Sequence, residues 1–238
     1  MRHSLSGQII NWAGWTLRVN PNPLNIVKSC PCEFWFDGQD ASTIALNVNR
    51  VIQWDDKSGN ARHVSNAVDA QRPTYSAATG RVTFAVANST YLQSAAFGPL
   101  TQPNTIYVLV NYINNAGDPV IFDALIAIHV FYSPTGAGTF QIHTGAALAD
   151  GAFNANDNIH TGEFNGAASN YWINGVNVAA GNAGGNALDG ITLGTARGLV
   201  GNWSSAEIME VFGYNCSITE AERIKCDNYL INKWGLPY

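Results

Sequence analysis

Two acidic residues near the end of the chain have a spacing that bears on hydrolytic chemistry. Glu207 and Glu210 lie three positions apart in the run Glu207-Ile208-Met209-Glu210. Enzymes that cleave glycosidic bonds need two carboxylates facing one cleft. Side chains alternate faces along a strand, so a spacing of three places these acids on opposite faces of an unbroken strand. We therefore expect no catalytic residues and no enzyme, with one acid solvated and the other pairing or capping at a strand end.

A turn rich in oxygen ligands suggests a metal site. Asp55, Asp56, Ser58 and Asn60 offer several hard oxygens within one turn, and calcium takes six to eight such ligands. The same turn has a structural use, because Asp accepts local amide hydrogen bonds and Gly59 tolerates a positive φ. We favour the structural interpretation and expect no cofactor. Calcium is the alternative, with Asp55, Asp56 and Asn60 as its candidate ligands.

The chain has four cysteines, Cys30, Cys32, Cys216 and Cys226. The first two are too close together for paired zinc ligands, and the last two are too far apart. Cys226 shares one helical row with Leu230 and Trp234, so it should face the core. Buried free thiols are the favoured interpretation. A disulfide between the Cys30/Cys32 end and Cys216 is the alternative, and the sequence leaves the pairing open.

Aromatic and amide side chains that suit sugar recognition are concentrated between residues 153 and 171. A sugar site needs an aromatic face for the apolar side of the ring and polar groups for the hydroxyls. The candidate ligand-binding residues are Phe153, Asn154, Asn156, Phe164, Asn165, Asn170, Tyr171 and Trp203. The alternative is that these aromatics belong to the core or to subunit contacts.

The composition narrows the range of partners. Charged residues make up 12% of the 238 residues, and the net charge is −5. Nucleic-acid binding needs clustered Lys and Arg, so we expect no nucleic-acid partner. The most apolar segment, 120–132, is too short to span a bilayer, and the first residues resemble no secretory signal. A neutral polar surface instead suits sugars or neighbouring subunits, and we expect a homo-oligomer.

The elements that must position these residues are mainly strands. Turn signals such as Gly117-Asp118-Pro119 recur between short runs of β-branched and aromatic residues, a pattern typical of a sandwich or barrel. The nearly continuous apolar run 105–112 predicts a central strand covered on both faces. Asn174-Gly175 predicts a type I′ hairpin turn. The fold class is therefore all-β, a two-sheet antiparallel β-sandwich with one C-terminal helix.

The helix is predicted over 218–234 within a sandwich domain of residues 30–238. Ser217 and Glu220 form a capping-box pattern, and Gly235 supplies a left-handed stop. Residues 1–29 differ in character and carry Trp12 and Trp15 on a Pro-punctuated segment. We predict that this N-terminal arm is a docking or assembly segment, with packing of both tryptophans on the sandwich as the alternative.

Several segments, in order, resemble the laminin-G-like jelly-roll family of the concanavalin A-like lectin/glucanase superfamily. The segments that carry the resemblance are 33–44, 51–63 with its Trp-x-Asp-x-Ser-Gly-Asn turn, 72–75, 172–175, 191–194, 207–211 and 217–236. The ending is the most specific of them. The resemblance implies a jelly-roll sandwich, and related glucanases use a Glu-x-Asp-x-x-Glu strand that this chain lacks, with Met209 in place of the Asp.

The resemblance also implies two interpretations of function. Such domains are frequent in bacteriophage virions and in large extracellular bacterial proteins. A bare domain with a short arm indicates a virion component, such as a capsid decoration, fibre or tail protein, made in the host cytoplasm and exposed on the particle. Its partners would be capsid or tail subunits and cell-surface carbohydrate. The alternative is a carbohydrate-binding module at a bacterial surface or outside the cell, and a glycoside hydrolase is a distant third.

Overall fold

A computed structural model describes residues 9–12, 15–18, 20–114, 116–133 and 138–238. The helices are α1 (Pro23–Ile26) and α2 (Glu220–Trp234). The early strands are β1 (Ile9–Trp12), β2 (Trp15–Arg18), β3 (Cys32–Asp37), β4 (Ile44–Asn47), β5 (Arg50–Trp54), β6 (Val64–Ser65), β7 (Thr74–Ser76), β8 (Arg81–Phe84) and β9 (Leu92–Ser94). The later strands are β10 (Asn104–Tyr112), β11 (Val120–Asp123), β12 (Val130–Tyr132), β13 (Thr139–His143), β14 (Ala147–Ala152), β15 (Asp157–Phe164), β16 (Ser169–Ile173), β17 (Val176–Gly181), β18 (Thr192–Leu193) and β19 (Ala206–Tyr214).

The strands form two antiparallel layers. The main layer has the order β3-β19-β10-β15-β16-β17, with β10 at its centre. The second layer runs β14-β13-β12-β11-β18-β9-β6-β5-β4. Strands β7 and β8 link β5 to β19 and so nearly close the sheet. This arrangement is a jelly-roll sandwich and confirms the predicted fold class.

The core lies between the two layers and combines aliphatic side chains with many aromatic rings. Phe34 of the main layer stacks on Phe122 of the second layer at 5.9 Å between ring centroids, and Phe131 meets Phe164 edge to face at 5.5 Å. All of these rings are buried. The predicted central strand is confirmed as β10, whose residues contribute to this core on one face and to a second cluster under α2 on the other.

Helix α2 covers part of the outer face of the main layer, the face turned away from the core. It begins two residues later than predicted, because the N-cap is Thr219 and its capping-box partner is Glu222. Glu222 also accepts hydrogen bonds from the backbone N–H groups of Lys28 (2.6 Å) and Ser29 (3.1 Å). Two capping patterns overlap here, Ser217 with Glu220 and Thr219 with Glu222. The contacts with Lys28 and Ser29 favour the second. Gly235 adopts the predicted left-handed conformation at the end.

The residues before β3 belong to two different structures. Strands β1 and β2 form a separate hairpin in which Trp12 and Trp15 are cross-strand partners. Residues 20–29 instead pack on the sandwich, because Ile26 and Val27 are buried in the cluster under α2. Residues 20–29 therefore pack with the sandwich, and the division into an arm of residues 1–29 and a sandwich of residues 30–238 stays a prediction. Residues 1–8 and the side chains of the two tryptophans lie outside the described part of the chain, so docking stays a prediction.

The cysteines divide into one pair and two buried thiols. Cys30 and Cys216 form a disulfide that joins the start of β3 to the end of β19. Cys32 and Cys226 are free and buried, and burial raises the pKa of Cys226 to about 12. The favoured expectation of four free thiols is wrong for Cys30 and Cys216, and the alternative disulfide is confirmed. The two cysteines meet because β3 and β19 are paired strands. No helix among the described residues is long and apolar enough to cross a membrane.

Candidate functional site

Strands β15, β16 and β17 present polar and aromatic side chains on the part of the outer face that α2 leaves open. In the register, Glu163 is opposite Asn170, and Trp172 is opposite Asn177. Asn170 donates a hydrogen bond to Glu163 Oε2 at 2.9 Å and accepts one from Asn177 at 3.2 Å. These four residues share one face because strand side chains alternate. We call this region the open half of the outer face.

The beginning of α2 and the residues just before it supply the second wall. Arg223 donates to Asp227 Oδ2 at 2.7 Å, and its guanidinium carbon lies 5.1 Å from the centroid of the Trp172 ring. A cation over an indole face is attracted by the ring quadrupole. Arg223 is therefore held in place by Asp227 on its own helix and by Trp172 on the sheet.

The two walls enclose an open cleft of about 290 Å³. Its lining residues are Thr105, Glu163, Trp172, Ile218, Glu220 and Arg223. Thr105 lies at the floor, where its hydroxyl donates to the carbonyl of Cys216 at 2.8 Å. An aromatic wall beside carboxylates and a guanidinium is a combination that can hold the apolar face of a sugar and its hydroxyl groups.

Asp227 lies behind this cleft in an unusual environment. One oxygen is paired with Arg223, whereas Oδ1 is buried and finds no hydrogen-bond partner among the described residues. Burial raises the pKa of Asp227 to about 6, and the nearby Arg223 opposes that shift. The carboxylate therefore offsets the charge of Arg223 at neutral pH without reaching the solvent.

The same face has a second half that α2 covers, centred on Glu210. Its carboxylate is fully buried and accepts four hydrogen bonds. The donors are Trp35 Nε1 at 2.8 Å, Tyr229 Oη at 2.6 Å, Lys233 Nζ at 2.8 Å and Trp234 Nε1 at 2.7 Å. Burial raises the pKa of Glu210, and the Lys233 ammonium opposes this shift. This saturated cluster fastens the end of α2 to the sheet.

The expected placement of Glu207 and Glu210 is wrong. The pairing of β19 with β10 shifts between Leu109 and Val110, so that β19 carries an extra residue there. This bulge turns both acids to the outer face. Glu207 pairs with Arg81 at 2.8 Å, and Glu210 is enclosed by the donors described above, so both carboxylates have structural partners.

Two of the predicted sugar-binding aromatics are core residues. Phe164 and Tyr171 are 0% and 1% exposed, and the Tyr171 hydroxyl lies 2.6 Å from His160 Nδ1. They cannot contact a ligand at the surface, and their candidate role is withdrawn. The alternation of β16 instead turns the next residue, Trp172, outward. Trp172 is the cleft-lining aromatic residue that the sequence reasoning missed.

The remaining predicted sugar-binding residues do not form one surface. Phe153 packs on Phe140 in the core at 5.3 Å between ring centroids. Asn154 accepts hydrogen bonds from Asn156 N–H at 3.1 Å and from Asn158 at 2.8 Å, which stabilises its own turn. The other positions are Asn165, whose N–H donates to Ser169 at 2.9 Å, and Trp203, which packs near Tyr91 at 6.2 Å. Asn170 is hydrogen-bonded to Glu163, which lines the cleft.

In the turn proposed for calcium, the Asp56 carboxylate is saturated by hydrogen bonds from the protein. The Asp56 carboxylate accepts hydrogen bonds from Trp35 N–H, Ser58 N–H, the Ser58 hydroxyl and Arg62 N–H, at 2.8 to 3.0 Å. Asn60 donates to the Glu33 carbonyl at 2.9 Å, and Asp55 accepts from Gln53 at 2.7 Å. Across the described residues, no group of three or more His, Cys, Asp and Glu side chains has the arrangement to hold a metal ion. The turn therefore has the structural use that the sequence favoured.

Comparison with known proteins identifies the architecture. No family model matches the chain, and no curated protein matches its sequence. Among solved structures, it is similar to a Trypanosoma rangeli sialidase in complex with 2,3-difluorosialic acid, with a TM-score of 0.57, 10% identity, and coverage of 97% of this chain and 36% of the other. It is also similar to a GH54 α-L-arabinofuranosidase, with a TM-score of 0.60, 12% identity, and coverage of 76% and 50%.

A third similar structure is a single domain. Domain 4 of AbnA, a GH43 extracellular arabinanase from Geobacillus stearothermophilus, was solved in complex with arabinotriose. The TM-score is 0.53 at 11% identity, and the alignment covers 83% of this chain and 98% of that domain. This chain spans about a third of the length of the sialidase and half of the arabinofuranosidase. The likeness establishes the fold: the chain is a jelly-roll β-sandwich that shares its architecture with parts of these proteins.

Proposed function

We propose that this chain is a carbohydrate-binding domain and that the open cleft beside Trp172 is its sugar site. The observation that carries the proposal is the meeting of an aromatic wall, two carboxylates and a fixed guanidinium in one solvent-accessible cleft. Arabinotriose in the similar AbnA domain supports a saccharide as the ligand class. From the sequence, a carbohydrate-binding module is the alternative to a virion component. The comparisons lend no support to a virion role.

We further propose that the domain binds without cleaving. Glycoside hydrolysis requires one carboxylate that donates a proton and a second that attacks or activates water. Glu207 is paired with Arg81, and Glu210 is buried among four donors, so neither of these two acids of β19 has a free approach to a substrate. In this proposal the cleft carboxylates, Glu163 and Glu220, bind ligand hydroxyls. The resemblance to the laminin-G-like family is consistent with a binding role. A homo-oligomer remains a prediction.

The proposed location is the bacterial cell surface or the extracellular space, where polymeric glycans are met. The Cys30–Cys216 disulfide supports this location, because such bonds persist mainly in oxidising compartments. Mass spectrometry of protein purified from its native compartment checks this proposal, with alkylation in denaturant so that the buried thiols of Cys32 and Cys226 react, and with and without prior reduction. Two alkylated cysteines without reduction and four after it are expected, whereas four in both samples would count against it.

The binding proposal is tested with Trp172→Ala in isothermal titration against a panel of neutral trisaccharides that includes arabinotriose. Removal of the aromatic wall is expected to weaken binding by about fivefold to a hundredfold, since ring burial and stacking contribute on the order of 1–3 kcal/mol. Trp203→Ala is the matched control, because that ring lies against Tyr91 and does not line the cleft.

Two outcomes would contradict the proposal. One is the absence of binding to every saccharide of the panel. The other is binding that Trp172→Ala leaves unchanged and Trp203→Ala removes, which would move the site to the loop before β19. Wild-type stability of both variants, measured by urea denaturation, excludes unfolding as the cause of any loss.

A further inference from the structure

The charges around the cleft are unevenly distributed. Glu163 and Glu220 both line it, and Arg223 is the basic residue in its lining. The charge of Arg223 is already offset, because Asp227 lies 2.7 Å from its Nη1. A ligand in the cleft therefore meets two carboxylates whose charge has no cationic partner in the lining.

The carboxylates are suited to hydroxyl groups. Glu163 is oriented by the hydrogen bond from Asn170, which is itself held by Asn177. Ionised carboxylates are pure acceptors, and hydrogen bonds to a charged acceptor are stronger than those between neutral groups. Sugar hydroxyls can donate to them, whereas a uronate carboxylate can only repel them.

We propose that the cleft selects uncharged glycans and rejects acidic ones, because Glu163 and Glu220 face the ligand while Asp227 offsets the charge of Arg223. This inference rests on the proposed function and narrows its ligand class. Two like charges a few ångströms apart at a protein surface repel enough to weaken binding by about tenfold. Asp227 takes part without touching the ligand, as the residue that positions Arg223 and offsets its charge.

The test is isothermal titration of the full chain with neutral trisaccharides and with trigalacturonate, at low and at high salt. The neutral ligands are expected to bind at least about tenfold more tightly at low salt, and the difference should narrow at high salt through screening. Glu163→Gln and Glu220→Gln should each improve trigalacturonate binding by about threefold. Asp227→Asn should act in the same direction, because it leaves the Arg223 charge available.

Asp55→Asn is the matched control, since it removes one negative charge at the turn after β5 and should change neither affinity. An affinity for trigalacturonate that equals or exceeds the affinity for the neutral trisaccharides would overturn the inference and leave the proposed function standing. Charge variants that do not alter the preference would also overturn it. If no ligand of either kind binds, the proposed function itself fails, and the inference fails with it.

Discussion

The two halves of the outer face use the same residue types for opposite purposes. Under α2, Glu210 is surrounded by Trp35, Trp234 and Lys233. On the open half, Glu163 lies near Trp172 and Arg223 in the cleft. Each half thus combines a carboxylate and an indole of the sheet with a basic side chain of α2.

The difference between the halves is coverage and hydrogen-bond saturation. The Glu210 carboxylate accepts four donors from this chain and is fully buried. Among the described contacts, Glu163 accepts one side-chain donor, Asn170, and borders solvent. A buried carboxylate must be satisfied internally, whereas an open one can exchange water for a ligand hydroxyl. The helix therefore makes one half structural and leaves the other half free to bind.

The largest expected effect on the free energy of unfolding comes from Glu210→Ala, which removes the central carboxylate of the covered half. This substitution leaves the indole N–H groups of Trp35 and Trp234 without their acceptor and removes one of the two carboxylate partners of Lys233, the other being Asp37. The free energy of unfolding should therefore fall by about 3 kcal/mol. Urea denaturation measures it, with Glu163→Ala as the matched control on the open half, expected to cost less than about 1 kcal/mol. Equal losses in the two variants would remove the distinction between the halves. Glu210→Gln, which keeps an acceptor, should be intermediate.

A smaller effect is expected from Glu222→Gln, at the point where α2 is attached to residues 28 and 29. Hydrogen bonds from Lys28, Ser29 and Thr219 lower the pKa of Glu222 from 4.5 to about 2, against the effect of burial. Because the folded pKa is depressed, this stabilisation is present above about pH 4.5 and is lost as the pH falls through about 2. The variant should lose roughly 1.5–3 kcal/mol at pH 7.

The pH dependence of that loss distinguishes a charge effect from a packing effect. Unfolding curves of the wild type and Glu222→Gln should converge as the pH falls through about 2, where the carboxyl of the folded wild type becomes protonated. A constant difference across this range would show that the ionised carboxylate is not what fastens the helix.

The smallest effect concerns Asp227, at the boundary between the halves. Burial raises its pKa to about 6, so the folded state binds the proton more tightly than the unfolded state does. The contribution of this group to stability should therefore increase as the pH falls from 7 to 4. Relative to Asp227→Asn, the wild type should gain on the order of 1 kcal/mol over that range in urea denaturation. A relative loss over the same range would contradict the raised pKa.

The fold was predictable because its signals are local. The Asn174-Gly175 turn, the apolar run of β10 and the Gly235 stop each act through backbone conformation or alternation within a few residues. The start of α2 was less predictable, since Ser217 and Thr219 both begin a capping pattern. The choice depends on Lys28 and Ser29, which lie far away along the chain.

The site was mostly not predictable from the sequence. Tyr171-Trp172-Ile173 is apolar throughout, so alternation alone cannot tell which side chain faces outward. The register of β16 against β15 decides in favour of Trp172, and the position of α2 decides which part of that face stays open. The bulge in β19 that turns Glu207 and Glu210 to one face has no local signal in the sequence.

The central claim is that the open half of the outer face binds a neutral saccharide while the covered half does not. The indole N–H signals of the tryptophans report on both halves in one two-dimensional NMR titration with arabinotriose. The Trp172 signal, assigned with Trp172→Phe, should shift and saturate, while the Trp35 and Trp234 signals, held by Glu210, should stay in place. A Trp172 signal that does not move while Trp203 or another indole responds would contradict the account.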